Sequence, residues 1–146
     1  MLVNTARVLL GGTAAGAIRI VAHLVLNDAL VTSAAPFDST MVAFFVLQLL
    51  IGFATVWVYA VMRPRFGGAA RTAIGAGLLT WVLAALAWSL TVIMGSVPWT
   101  IYLMRVFASL PIALIAALAG ASLYRERDSV RAHAAVVSRP TSQEYR

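Results

Sequence analysis

The chain contains no cysteine and no lysine, and only five of its 146 residues are acidic. Without cysteine there can be no disulfide, no thiolate nucleophile and no cysteine-ligated metal. Without lysine, all eleven Lys/Arg positions are arginine, a planar fork of N–H donors suited to carboxylate and phosphate groups. Charged residues make up 11% of the chain, against about 25% in soluble domains. That is too little charge to coat a water-soluble particle of this size. Apolar residues fill the gap: 62% of the chain is hydrophobic and the mean hydropathy is +0.90.

The net charge is +6. A basic balance can signal nucleic acid, but here the arginines sit at the ends of apolar stretches, which matches anionic lipid headgroups and argues against nucleic acid. Standard catalytic patterns are missing as well. There is no GxSxG, no HExxH and no clustered carboxylate pair, so neither an enzyme nor a cofactor or metal is expected.

Four apolar stretches, at about residues 8–30, 41–62, 71–95 and 100–124, each approach the ~20 residues a helix needs to cross ~30 Å of hydrocarbon. They lack period-2 alternation and are about twice the length of a barrel strand. The breaks carry turn chemistry: Pro36 with Asp38, Ser39 and Thr40 as candidate N-caps, then Arg63-Pro64-Arg65-Phe66-Gly67-Gly68, then Gly95-Ser96-Val97-Pro98 with Ser96 as a cap. Short breaks make successive helices antiparallel neighbours. The expected fold is an all-α membrane domain over residues 1–124, an antiparallel bundle of four transmembrane helices, followed by a disordered tail over 125–146. The first stretch is expected to be retained, because its apolar core is too long for a signal peptide and carries Arg19 and His23.

Arginine placement orients the bundle. Arg7, Arg63, Arg65, Arg71, Arg125 and Arg127 cluster at the N-terminus, the second break and the tail, whereas the first break has only Asp38 and the third no charge. The positive-inside rule places both termini and the middle loop in the cytoplasm, in the inner membrane, with Arg63, Arg65, Arg71, Arg125 and Arg127 against headgroups. Trp57, Tyr59 and Tyr124 at one level, and Trp99 and Tyr102 at the other, read as interfacial aromatic belts.

The first helix carries the unusual chemistry. Gly12, Gly16, Arg19, His23 and Asn27 follow steps of four, three, four and four and so share one face. Gly12 and Gly16 form a GxxxG pair that lets another helix approach closely. An arginine near a helix centre costs about 2.5–3.5 kcal/mol on insertion scales, and ten Leu, Ile and Val residues offset about 3–6 kcal/mol. The polar face should therefore turn inward. No Asp or Glu occurs in the other three stretches, and Asp28 is nine residues on, about 13 Å along the axis. Partners open to Arg19 are Gln48, hydroxyls, backbone carbonyls, water or an external anion. Arg19, His23, Asn27, Gln48 and Arg105 are the candidates for a ligand or ion path. The bland alternatives are that Arg19 bonds to carbonyls, that His23 is a packing residue, and that Arg105 reaches the outer interface. Pro111 with Ser109 can kink the fourth helix.

One further pattern lies in Gly11-Gly12-x-x-Ala15-Gly16, Leu26-Asn27, Trp57-x-Tyr59-Ala60-x-x-Arg63-Pro64-Arg65-Phe66-Gly67, Thr72-Ala73, Trp81 and Leu123-Tyr124-Arg125. It resembles a set of small four-helix bacterial membrane proteins of unassigned function, over helices one to three and the end of the fourth. That resemblance implies the same topology and no reaction. It also implies glutamate and asparagine where this chain has His23 and Ile20.

Three functional readings follow. The first is an accessory or structural membrane protein, self-associating or part of a larger complex through GxxxG. The second is a homodimeric transporter of small solutes or ions along the polar face. The third is a haem or redox subunit using His23 from two protomers.

Overall fold

All four apolar stretches are helical. The computed structural model describes the backbone at residues 5–30, 39–67 and 70–137, and side chains over the same ranges except 26–30, 40 and 125–137. The helices are α1 (Thr5–Leu30), α2 (Ser39–Phe66), α3 (Ala70–Ile93) and α4 (Trp99–Val137). Each holds an apolar run of at least 21 residues, about 31 Å at ~1.5 Å per residue, so each is long and apolar enough to cross a membrane. A helix answers its own backbone polar groups, which hydrocarbon demands. Their outer faces are apolar too: Leu50, Leu86, Ile93 and Phe107 are all exposed, a surface that water disfavours.

Helix ends differ from the expected ones where caps decide them. α2 continues through Pro64 to Phe66 instead of stopping at residue 62. The proline removes only the bond to the Ala60 carbonyl, in the last turn. Gly67, at φ +80°, then closes the helix with its N–H on the Arg63 carbonyl at 2.9 Å. Thr72 Oγ1 donates to the Gly67 carbonyl at 2.7 Å and ties this turn to α3. At the end of α3, Gly95 takes φ +73°, with Gly95 N–H on the Val92 carbonyl and Ser96 N–H on the Thr91 carbonyl, both 2.9 Å. That pairing is a Schellman motif. Ser96 therefore closes α3 through its backbone and does not cap α4, which begins at Trp99.

The tail expected to be disordered from residue 125 is helical through Val137. No glycine or proline interrupts it before Pro140, and Ala132, Ala134 and Ala135 extend an established helix at little cost. Asp38, a proposed cap, lies outside the described residues.

Among the described residues α1 packs along α2 and α4, α3 packs along α4 and α2, α2 also meets α4, and α1 and α3 do not meet. As α1 is followed from Gly12 through Gly16 and Arg19 to His23, its partners on α2 step back from Phe53 through Leu49 and Gln48 to Phe44. Small residues set these approaches. A Cβ on Gly52 would lie 2.5 Å from the Gly16 nitrogen and 2.6 Å from the Gly12 carbonyl oxygen, and one on Gly11 would lie 2.6 Å from the Gly120 carbonyl oxygen. Only glycine allows the backbones so close.

Ala15, Val56, Tyr59, Ala76 and Ala116 form the centre of the core. Tyr59 and Tyr124, expected in an interfacial belt, belong to that core: both are buried, and their rings meet edge-to-face at 6.0 Å. Tyr102 is buried too, its hydroxyl donating to the Ala85 carbonyl at 2.8 Å. Trp57 and Trp99 are exposed, as a belt requires.

Candidate functional site

Burial is concentrated towards one end of the bundle. Among residues with described side chains, Arg19 is the last buried one on α1, Gln48 the first on α2 and Thr80 the last on α3. Beyond that layer these three helices carry only half-buried and exposed side chains. Arg19 thus sits at the edge of the packed core, fourteen residues into α1 and about 21 Å along it.

Arg19 is only 4% exposed, and its Nε donates to Gln48 Oε1 at 2.9 Å. Gln48, 5% exposed, is its one hydrogen-bond partner among the described residues. The partner is placed by the glycine contact, because Gln48 stands one turn before Gly52 and its carbonyl lies against Gly16. A guanidinium has five N–H donors, and the Nε bond uses one of them. The two terminal nitrogens, with four, donate to no described group, and neither is sealed from its surroundings.

His23, one turn on, stands edge-on to Phe44 with ring centroids 5.6 Å apart. The charges of Arg19 and Arg105 both bear on it. Arg105 is half-buried on α4 and has no ion pair among the described residues. Nothing in its described contacts separates the reading of Arg105 as an outer-interface residue from that of a site residue. Three nitrogen bases from two helices share one region, and α2, α3 and residues 99–124 contain no carboxylate.

Asn27 lies on α1, but its side chain is outside the described residues, as are those of Arg125 and Arg127. Gly12 and Gly16 are seated against Phe53 and Leu49 of the same chain. Arg65 and Arg71 are exposed at the α2–α3 turn, while Arg63 is half-buried with its Cζ 5.8 Å from the centre of the Tyr124 ring. Among the described residues no group of three or more His, Asp or Glu could hold a metal.

Two buried threonines escaped the sequence reading. Thr55 and Thr80 share a buried hydroxyl contact at 3.0 Å between α2 and α3. Trp81 Nε1 donates to the Val106 carbonyl and to Ser109 Oγ, both at 3.2 Å, on the turn before Pro111. Gly52 and Phe44 were not singled out either. One signal was present: Gln48, Gly52, Thr55 and Tyr59 step by four, three and four, the same spacing as Gly12, Gly16, Arg19 and His23 facing them. No protein-family model, curated protein or solved structure matches the chain.

Proposed function

We propose that this chain is a four-span protein of the bacterial inner membrane, an antiparallel bundle with both termini cytoplasmic, which admits a small polar solute or ion to Arg19 from the outer side. The observation that carries the reading is the state of Arg19: buried at the edge of the core, held by Gln48 through one nitrogen, and without a carboxylate among the described residues. An ionisable residue inside a membrane span that lacks a charged partner is a functional-site hypothesis by default. The opposing order of contacts along α1 and α2 supports the antiparallel arrangement, and the exposed Arg65 and Arg71 at the α2–α3 turn support its cytoplasmic placement beside anionic headgroups. The resemblance to small four-helix bacterial membrane proteins agrees with that topology.

The accessory or complex-forming reading drew its motive from the Gly12–Gly16 pair, from small residues throughout and from the lack of a catalytic pattern; of these, the glycine pair is already occupied by α2 of the same chain. A solute site therefore accounts for more of the geometry. The test is solute flux and binding with purified protein in liposomes, comparing wild type with Arg19→Ala. Flux or binding that Arg19→Ala abolishes in a variant that still folds supports the reading; identical behaviour of the two proteins refutes it. Reporter fusions at Gly67 and at Ser96 test the orientation, the first expected inside and the second outside.

A further inference from the structure

We infer that the ligand of this site is an oxyanion, a phosphate or sulfate group held end-on by the two terminal nitrogens of Arg19, with Arg105 as the second cation and Gln48 as the residue that positions the guanidinium. The inference rests on the reading of Arg19 as a solute site and adds the chemical class of the solute.

Three observations carry it. First, the Nε edge of Arg19 is taken by Gln48, which leaves the edge formed by the two terminal nitrogens. That edge offers two parallel N–H donors at the spacing of two oxygens on one carboxylate, sulfate or phosphate. Second, among the described residues the charge on this part of the bundle has one sign. Arg19 and Arg105 both act on His23, and no acid occurs in α2, in α3 or between Trp99 and Tyr124. Like charges in a weakly polar setting repel, and an anion bound between Arg19 and Arg105 would turn that repulsion into attraction on both sides. Third, the acceptor on α2 is a neutral amide. A glutamate at position 48 would neutralise Arg19 internally; glutamine orients the guanidinium while leaving its charge available.

The same phosphate chemistry has two sources, free inorganic anion and the phosphate of an outer-leaflet lipid. In delipidated protein in neutral detergent, thermal stability is titrated with sodium sulfate and sodium phosphate, with sodium chloride at matched ionic strength as the reference. In parallel, native mass spectrometry follows retention of phosphatidylglycerol after purification from phosphatidylglycerol liposomes. The expected result is saturable stabilisation by sulfate or phosphate beyond that by chloride, or retained lipid, in wild type.

Because Arg19→Ala also empties a buried position, the deciding variants are Arg105→Ala and Gln48→Glu. Each should raise the half-saturating anion concentration at least about tenfold, or release the lipid, since each removes or neutralises one side of a desolvated charge pair. Gln48→Glu should in addition melt above wild type when no anion is added and lose the anion response of wild type, whereas a purely structural glutamine predicts no anion response to lose. Exposed Arg71→Ala should respond to anion as wild type does. The inference is overturned if neither anion nor lipid distinguishes itself from chloride, or if Arg105→Ala and Gln48→Glu bind as wild type does. An Arg19-dependent response to a neutral or cationic solute, with none to oxyanions, would refute the oxyanion while leaving the solute site intact.

Discussion

Replacing Gly52 by alanine sets helix propensity directly against helix packing. Alanine favours a helix over glycine by about 1 kcal/mol, so a reading of α2 alone expects a gain. In the structure the new Cβ would meet the Gly16 nitrogen at 2.5 Å and the Gly12 carbonyl oxygen at 2.6 Å. Both are backbone atoms of α1 and cannot rotate away. Bringing the shorter approach out to 3.4 Å, where ordinary contact begins, parts the helices by about 0.9 Å. Overpacking of this kind costs about 1–3 kcal/mol.

The displacement also falls one turn from Gln48. Moved by the same amount, its 2.9 Å bond to Arg19 lengthens to about 3.8 Å and ceases to be a hydrogen bond, with a loss of about 1.5–3 kcal/mol for a charged donor. After the propensity gain, Gly52→Ala should be destabilised by about 1.5–5 kcal/mol. Gly75→Ala is the matched control, since its Cβ meets only Met62 Cε at 3.7 Å, and it should gain up to about 1 kcal/mol. Reversible unfolding in mixed detergent micelles, followed by far-ultraviolet circular dichroism, measures both. A Gly52→Ala protein as stable as Gly75→Ala would refute the close approach of α1 and α2 on which the site depends.

Other measurements probe neighbouring contacts. A double-mutant cycle on Arg19→Ala and Gln48→Leu in the same unfolding assay should return a coupling of about 1.5–3 kcal/mol, and a coupling near zero would mean that the two side chains do not bond. Trp81→Phe should lose about 0.5–1.5 kcal/mol through its indole bonds to the Val106 carbonyl and Ser109, and Ser109→Ala, which leaves the Val106 carbonyl as acceptor, should lose less. Gly16→Ala and Gly11→Ala should both destabilise, because their Cβ atoms would meet Leu49 Cα at 2.8 Å and the Gly120 carbonyl oxygen at 2.6 Å. At matched stability loss only Gly16→Ala, which presses on α2 beside Gln48, should impair Arg19-dependent binding in the titration.

The sequence made the four helices readable because each apolar stretch has the length that hydrocarbon requires and each break contains glycine, proline or a small polar residue. It also marked Arg19, His23 and Gln48 as unusual, since polar groups in such stretches are rare. Ends were less legible. Pro64 and Ser96 have the side chains expected at boundaries, but Gly67 and Gly95, with their positive φ, set where α2 and α3 stop, and a cap depends on backbone geometry that composition does not carry. The role of Gly12 and Gly16 was legible only as close packing. Whether the partner is another molecule or α2 depends on Gly52, whose significance lies in the register between two helices. Tyr59 and Tyr124 misled for a related reason: position along a helix suggested an interfacial belt, and only the face they share with Ala15 and Ala116 buries them.

These observations tie the site to the packing beneath it. An arginine side chain has several rotatable bonds, and a guanidinium left to itself would turn toward the nearest water. Here its direction is set by a bond to an amide one turn from Gly52, and Gly52 is fixed by contact with the two glycines that precede Arg19 on its own helix. The chain of constraint runs from Gly12 and Gly16 to Gly52, from Gly52 to Gln48, and from Gln48 back to Arg19. All of its members lie within two neighbouring helices, so the guanidinium can be held rigidly without a carboxylate partner. A carboxylate would supply the same rigidity but would also neutralise the charge. Fixing the guanidinium through glycine packing and a neutral amide keeps the positive charge available, which is the condition any anion site in this bundle has to meet.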